Sequence, residues 1–140
     1  MAGARPTMLV EVELYQVIIT EGSPTQSIVL REKNGERIIP IFIGITEAMA
    51  IDRKLKEFVV PRPLTHDLLK SLLEKLGGKL ERVILNDLRD RTYYALLQID
   101  RGGEKIEVDA RPSDAIALAV RMDAPIFAEE QVIEKALSPD

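Results

Sequence analysis

Carboxylates, arginines and one serine crowd a single short stretch, Asp109-Ala-Arg-Pro-Ser-Asp-Ala-Ile-Ala-Leu-Ala-Val-Arg121. Pro112 suits the first turn of a helix, where its missing N–H costs no hydrogen bond. Asp109 and Arg111 therefore precede a helix start, and Ser113 and Asp114 lie within it. Free backbone N–H groups and a partial positive charge gather at such a start. Ser113 and Asp114 have an ordinary use there as capping residues, but Asp109 and Arg111 do not. The junction reads either as a functional pocket or as capping plus a salt bridge.

Three other stretches carry usable chemistry. In Leu85-Asn-Asp-Leu-Arg-Asp-Arg-Thr-Tyr-Tyr94, Asp87 and Asp90 flank a turn with Arg89 and Arg91 beside them. Turn chemistry accounts for such aspartates, because they bond their own backbone. The returning strand also offers a way to bring Asp87 or Asp90 next to Asp109. Paired carboxylates can hold a divalent cation and activate its water against a phosphodiester. His66, in Arg62-Pro-Leu-Thr-His-Asp67, falls in a first helical turn. The positive end of the helix dipole favours a neutral ring there, fit for a general base or a ligand. A surface or capping role is the plainer reading, and Asp67 complements the same dipole. Finally, Gly44 precedes a helix whose first turn holds Glu47, again ordinary dipole compensation.

The totals narrow the classes. The chain has 140 residues, 46% of them apolar, which is one ordinary globular domain. There is no Cys and one His, so disulfides, thiolate chemistry and multi-His metal sites within one chain are excluded. A metal site would be mostly carboxylate, suited to magnesium or manganese. A net charge of −4 does not favour nucleic acid overall, so phosphates would need a local basic patch or bound metal ions. No apolar run is long enough to span a bilayer, and the first residues lack a signal-peptide core. A cytoplasmic protein is expected. Residues 1–7 read as a flexible leader, 8–137 as the domain and 138–140 as a tail.

Elements that could position these groups follow from period and punctuation. Strands are expected over Met8–Thr20, Gln26–Glu32 and Arg37–Ile43, the last two joined through Asn34-Gly35, a strong hairpin signal. Thr46 should cap a helix from Glu47 to about Phe58, with Ala48, Ile51, Leu55 and Phe58 as its apolar stripe. Thr65 should cap a second, with Leu68, Leu69, Leu72, Leu73 and Leu76 along one face and Gly77-Gly78 stopping it. Strands Lys79–Leu88, Arg91–Asp100 and Glu104–Ala110 follow, with tight connections at Arg89-Asp90 and Arg101-Gly102-Gly103. A helix from Pro112 to about Met122, a short edge strand at Ala124–Ala128 and a helix over Glu129–Ala136 complete the chain. The order β-β-β-α-α-β-β-β-α-β-α, with strands in runs, argues an α+β domain with a largely antiparallel sheet. Three strands plus a helix occur twice, which hints at pseudo-symmetry. Leu68, Leu72, Leu76, Ile84 and Ile116 are expected in the core.

Four blocks resemble the bifunctional nuclease domain family in order and spacing: Ile39–Ile51, Arg62–Leu68, Asp87–Ala95 and Asp109–Ala119. The resemblance covers roughly Met8 to Lys135. It implies cleavage of DNA and RNA, with nucleic acid as substrate. Placing chemistry on the motif positions gives Asp87, Asp90, Asp109 and Asp114 as carboxylates for magnesium or manganese. His66, Asp109 and Arg111 are then expected to be catalytic, and Arg89 and Ser113 to contact the substrate. The rival expectations are a homo-oligomeric module without catalysis and a small-anion or nucleotide-binding regulator using Arg111 and the helix start. A homodimer or higher homo-oligomer is expected, a symmetric homodimer being the commonest solution, with Tyr93, Tyr94 and Phe127 adding apolar surface for a partner.

Overall fold

The computed structural model describes residues 8–138; the expected leader and the last two residues of the tail lie outside that range. The elements are β1 (Leu9–Ile18), β2 (Thr25–Glu32), β3 (Ile38–Gly44), α1 (Ile45–Leu55), α2 (Thr65–Lys75), β4 (Gly78–Arg89), β5 (Thr92–Arg101), β6 (Glu104–Ala110), α3 (Pro112–Met122), β7 (Ile126–Glu129) and α4 (Glu130–Leu137). Order and class agree with the sequence reading. The seven strands form one sheet in the order β3-β2-β1-β7-β4-β5-β6.

The expected edge strand is instead the central one. Strand β7 pairs antiparallel with β1 and parallel with β4, joining two three-stranded meanders into one sheet. Each meander leads directly into a helix, β3 into α1 and β6 into α3. The chain is therefore two β-β-β-α halves arranged on either side of β7. Edge strands β3 and β6 fall at opposite ends of the sheet. Pro40 is tolerated in β3 because an edge strand has one unpaired side. Alternation buries Ile39, Ile41 and Ile43 and turns Ile38, Pro40 and Phe42 outward.

The core lies between the sheet and the helices. Ile28, Leu30, Ile39, Ile51, Leu85 and Ile116 are fully buried, and α4 adds Val132 and Ile133. Ile84 and Ile116 meet the sequence expectation. The Leu helix does not. Leu68, Leu72 and Leu76 are 53%, 51% and 65% exposed, while His66 on the same helix is 5% exposed. The polar first turn decides this rotation. His66 Nε2 lies 3.0 Å from Asp114 Oδ1, and Arg121 Nε donates to Asp67 Oδ1 at 2.8 Å. Two contacts to α3 hold the His66 side of α2 inward, and at 3.6 residues per turn positions 68, 72 and 76 then face out.

Smaller departures have local causes. Helix α1 starts at Ile45 with Gly44 as N-cap, two residues before the Thr46 cap expected; it ends at Leu55, short of Phe58, and both of those side chains are exposed rather than core. Thr65 is the first residue of α2, not its cap; Asp67 Oδ2 accepts the Leu64 N–H instead, at 3.0 Å. Asn34 and Gly35 sit in a wider connection, because Glu32 N–H bonds Arg37 O and both residues are tied by an Arg37–Glu32 ion pair of 2.7 Å. Arg37 also reaches Glu130 at 2.7 Å, fastening this hairpin to α4. The β4–β5 turn is Asp90-Arg91, not Arg89-Asp90: Arg89 pairs with Thr92, and both turn residues have positive φ, 49° and 63°.

Candidate functional site

Seven twisted strands rotate by roughly 20–25° each, enough to bring diagonally opposite corners of the sheet over one face. One corner carries the start of β2, the end of β3 and the start of α1. The other carries the β4–β5 turn, the end of β6 and the start of α3. They enclose a cavity of about 390 Å³. Gly44 and Glu47 line it from the first half; Arg91, Tyr93, Arg111 and Ser113 line it from the second. The two helix starts stand at equivalent places in the two halves, and both open into this cavity.

Each lining group is held for a physical reason. Gly44 leaves room for the Glu47 carboxylate: a Cβ at Gly44 would come within 2.5 Å of Glu47 Oε1. Buried Gln26 braces the β1–β2 turn at the rim by accepting the Thr20 N–H and donating to Thr20 O and Ser23 O. Arg91 occupies the left-handed region at φ 63°, where a residue with a Cβ is uncommon and where hairpins normally place Gly. The turn thus keeps an arginine at a position that costs backbone strain, and that arginine lines the cavity. Arg111 is the N-cap residue of α3 with its side chain 81% exposed, and its nearest carboxylate oxygen, on Asp114, is 3.9 Å away. Ser113 is buried in the first turn. Burial raises the Tyr93 phenol above its ordinary pKa, so it stands as a hydrogen-bond donor.

The cavity concentrates positive charge. Two guanidiniums and two helix N-termini face one glutamate in a chain that is acidic overall. It supplies the local basic patch that the total charge lacks. Arg111 and Ser113 line it. His66 does not line it; it pairs with Asp114, which in turn faces Arg111, so both stand behind the arginine.

The four aspartates do not gather. Asp87 is engaged by Arg89 at 2.8 Å and Lys135 at 3.5 Å. Burial raises its pKa, but the Leu88 N–H, Arg89 and Lys135 outweigh that and hold it below the usual carboxylate value. Asp90 is in the turn. Asp109 pairs with Leu96 and Ala110 with Ala95, so alternation points Asp109 away from the buried Ala95 face on which α3 packs. Asp114 is on the α3 side with His66. Among the described residues no three of His, Asp and Glu converge tightly enough to hold a metal ion. Arg89 likewise stands over the Tyr94 ring, 4.4 Å from its centroid, rather than in the cavity.

Sequence reasoning passed over three residues. Glu47 read as dipole compensation and Arg91 as turn decoration; the signal for both is the meeting of segments far apart in sequence. Arg121 is 5% exposed and donates to Asp67, Ala117 O and Ala50 O, tying α2 and α1 to α3. A charged residue in an apolar helical run was its available signal. No helix among the described residues is long and apolar enough to cross a membrane.

Comparison with known proteins adds a family. Residues 28–140 match the model described as the bifunctional nuclease domain. An uncharacterized protein of Mycobacterium tuberculosis is 42% identical over 132 residues, covering 93% of this chain and 79% of its own. Bifunctional nuclease 2 of Oryza sativa subsp. japonica is 32% identical over 112 residues, 77% of this chain and 34% of its own. Bifunctional nuclease 1 of Oryza sativa subsp. indica is 27% identical over 118 residues, 81% of this chain and 36% of its own. The chain thus spans about a third of the length of these plant relatives.

Proposed function

The chain belongs to the bifunctional nuclease domain family, and we propose that the cavity between its two halves binds a phosphodiester of DNA or RNA and hydrolyses it. One observation carries the proposal: Arg91 and Arg111 meet at two helix starts with a single carboxylate, Glu47, opposite them. The arginines neutralise the scissile phosphate and the charge that builds on it as water adds to phosphorus. Glu47 accepts the proton of that water, the P–O bond to one sugar oxygen breaks as the new P–O bond forms, and the departing sugar oxygen takes a proton from Glu47 or from solvent. The Tyr93 hydroxyl and the Ser113 N–H face the same oxygens. His66 and Asp114 act as positioning residues by orienting Arg111. Water attack needs no 2′-hydroxyl, so one site serves both polymers.

Asp87, Asp90, Asp109 and Asp114 do not fit a shared cation, and no step is routed through one. Magnesium or manganese belongs to the proposal as an ion that arrives with substrate phosphates, where Glu47 is the pocket carboxylate able to meet it. A cytoplasmic place of action and a homodimer are parts of the same proposal. The outward face of α2 supports the dimer: Leu68, Leu72 and Leu76 continue from Leu64, which lines a shared groove with exposed Phe58 and Val59. Anion binding without turnover is the alternative, favoured by the lone carboxylate. Purified protein and its Glu47→Gln variant should be incubated with single-stranded DNA and RNA, with magnesium, manganese or chelator. Cleavage that Glu47→Gln slows by about 100-fold or more is expected. Tight binding with no cleavage in any condition would establish the regulatory alternative.

A further inference from the structure

A second cavity, of about 670 Å³, adjoins the first and shares Phe42, Arg91 and Tyr93 with it. Its remaining walls are half apolar, Pro40, Leu88 and Ala136, and half polar, Asp90, Lys135 and Ser138. Phe42 dominates the shared wall. Strand alternation turns it away from Ile41 and Ile43, and it is 77% exposed on an edge strand. An exposed ring there is a liability for edge-to-edge association, and no packing requirement explains it. Three of the other five aromatic rings are covered by guanidiniums: Tyr15 by Arg31 at 4.3 Å, Tyr94 by Arg89 at 4.4 Å and Phe127 by Arg82 at 5.5 Å. Phe42 and Phe58 both stand open, and of the two Phe42 lines the cavity that holds Arg91 and Arg111.

We propose that this second cavity is a nucleobase subsite, in which an unpaired base of the substrate strand stacks on Phe42 while the adjoining phosphate lies between Arg91 and Arg111. The inference rests on the phosphodiester reading of the first cavity and extends it to a substrate class, single-stranded nucleic acid. Stacking fits the requirement that one site take both polymers. Every base has a π-face, and neither the 2′-hydroxyl nor a particular base edge is read. A base inside a duplex is already stacked and paired, so it cannot enter without being extruded. Tyr93, half-buried between the two cavities, fixes the distance between base and phosphate.

The test is equilibrium binding of two fluorescent oligonucleotides of equal length, one ordinary and one abasic at every internal position. Phe42→Ala is expected to weaken the ordinary strand by about tenfold or more and to leave the abasic strand within twofold. Phe42→Trp should restore the ordinary strand. A 2-aminopurine base should be quenched on binding to the parent and to Phe42→Trp, and not to Phe42→Ala. Because Phe42 is exposed, its variants should keep the parent's thermal midpoint, which is measured alongside. Equal affinity of Phe42→Ala and parent for the ordinary strand, or equal loss on both strands, overturns the subsite. Arg111→Gln separates the two readings: it should weaken both strands by the same factor. If Arg111→Gln binds both like the parent while Phe42→Ala still discriminates, the phosphate reading fails and the base subsite stands.

Discussion

The two halves of the molecule share a plan and differ in what they place at the same positions. Each runs three strands into a helix, and each helix start opens into the central cavity. In the first half the N-cap is Gly44 and the third helical residue is Glu47; in the second they are Arg111 and Asp114. The first half contributes open backbone and one carboxylate. The second contributes cations, from Arg111 and from the strained turn at Arg91. A comparable contrast separates the two ends of α3. At its C-terminal end Arg121 is buried and committed to three acceptors; at its N-terminal end Arg111 is exposed with its carboxylate partner at 3.9 Å. Arg121 fastens helices together, whereas Arg111 stands exposed at the cavity.

That contrast breaks most sharply at Arg121. Arg121→Met should destabilise the fold by about 3 kcal/mol, because Asp67 and the Ala50 carbonyl lose their buried partner. Arg111→Gln should stay within about 0.5 kcal/mol of the parent. Urea midpoints measured on both variants check the pair, and equal losses would dissolve the distinction. Acid unfolding sharpens it next. The Leu64 N–H, set against burial and joined by Arg121, lowers the Asp67 carboxyl below its ordinary value. A group so depressed stabilises the fold above its unfolded pKa and loses that contribution as pH falls through its folded one. Asp67→Asn should therefore be less stable than the parent at neutral pH and lose less stability on acidification; parallel curves would remove Asp67 from the account of acid sensitivity. Among the apolar positions, the smaller change in folding free energy is expected on the open face of α2. Leu72→Ala should cost under about 1 kcal/mol, against about 2–5 kcal/mol for Ile116→Ala in the core. If the proposed homodimer forms through this face, Leu72→Glu should shift the protein toward monomer in light scattering; an unchanged mass would take the α2 face out of the proposal.

Much of this plan was legible in the sequence. Pro112 marked the start of α3, the runs of strands gave the class, and the repeated three-strand-plus-helix pattern anticipated the two halves. Periodicity also found the Leu stripe of α2 but assigned it to the wrong side. A helix with Leu at 68, 72 and 76 and with His66 and Asp67 in its first turn can bury either face, and Arg121 and Asp114, more than forty residues away, select the polar one. The short segment near Pro125 read as an edge because four residues carry no sign of their neighbours, yet β7 is central. The candidate site was half legible. Arg111 and Ser113 announced themselves at one helix start. Glu47 and Arg91 did not, since each has a sufficient local explanation and only the sheet's twist brings them together. Asp109 misled in the opposite way, being one residue, and therefore one face, away from the strand position that meets α3.

The most direct measurement compares Arg111→Gln with Asp109→Asn. Both residues lie within three positions of one another at the same strand end, but the cavity includes the first and the sheet turns the second away. With both variants shown folded by circular dichroism, initial rates of single-stranded DNA and RNA cleavage are measured under the conditions in which the parent is most active. Arg111→Gln should fall by about 100-fold or more while Asp109→Asn keeps the parent's rate within a few-fold. The reverse pattern, activity lost with Asp109 and kept without Arg111, would contradict the placement of the reaction in the cavity between the halves.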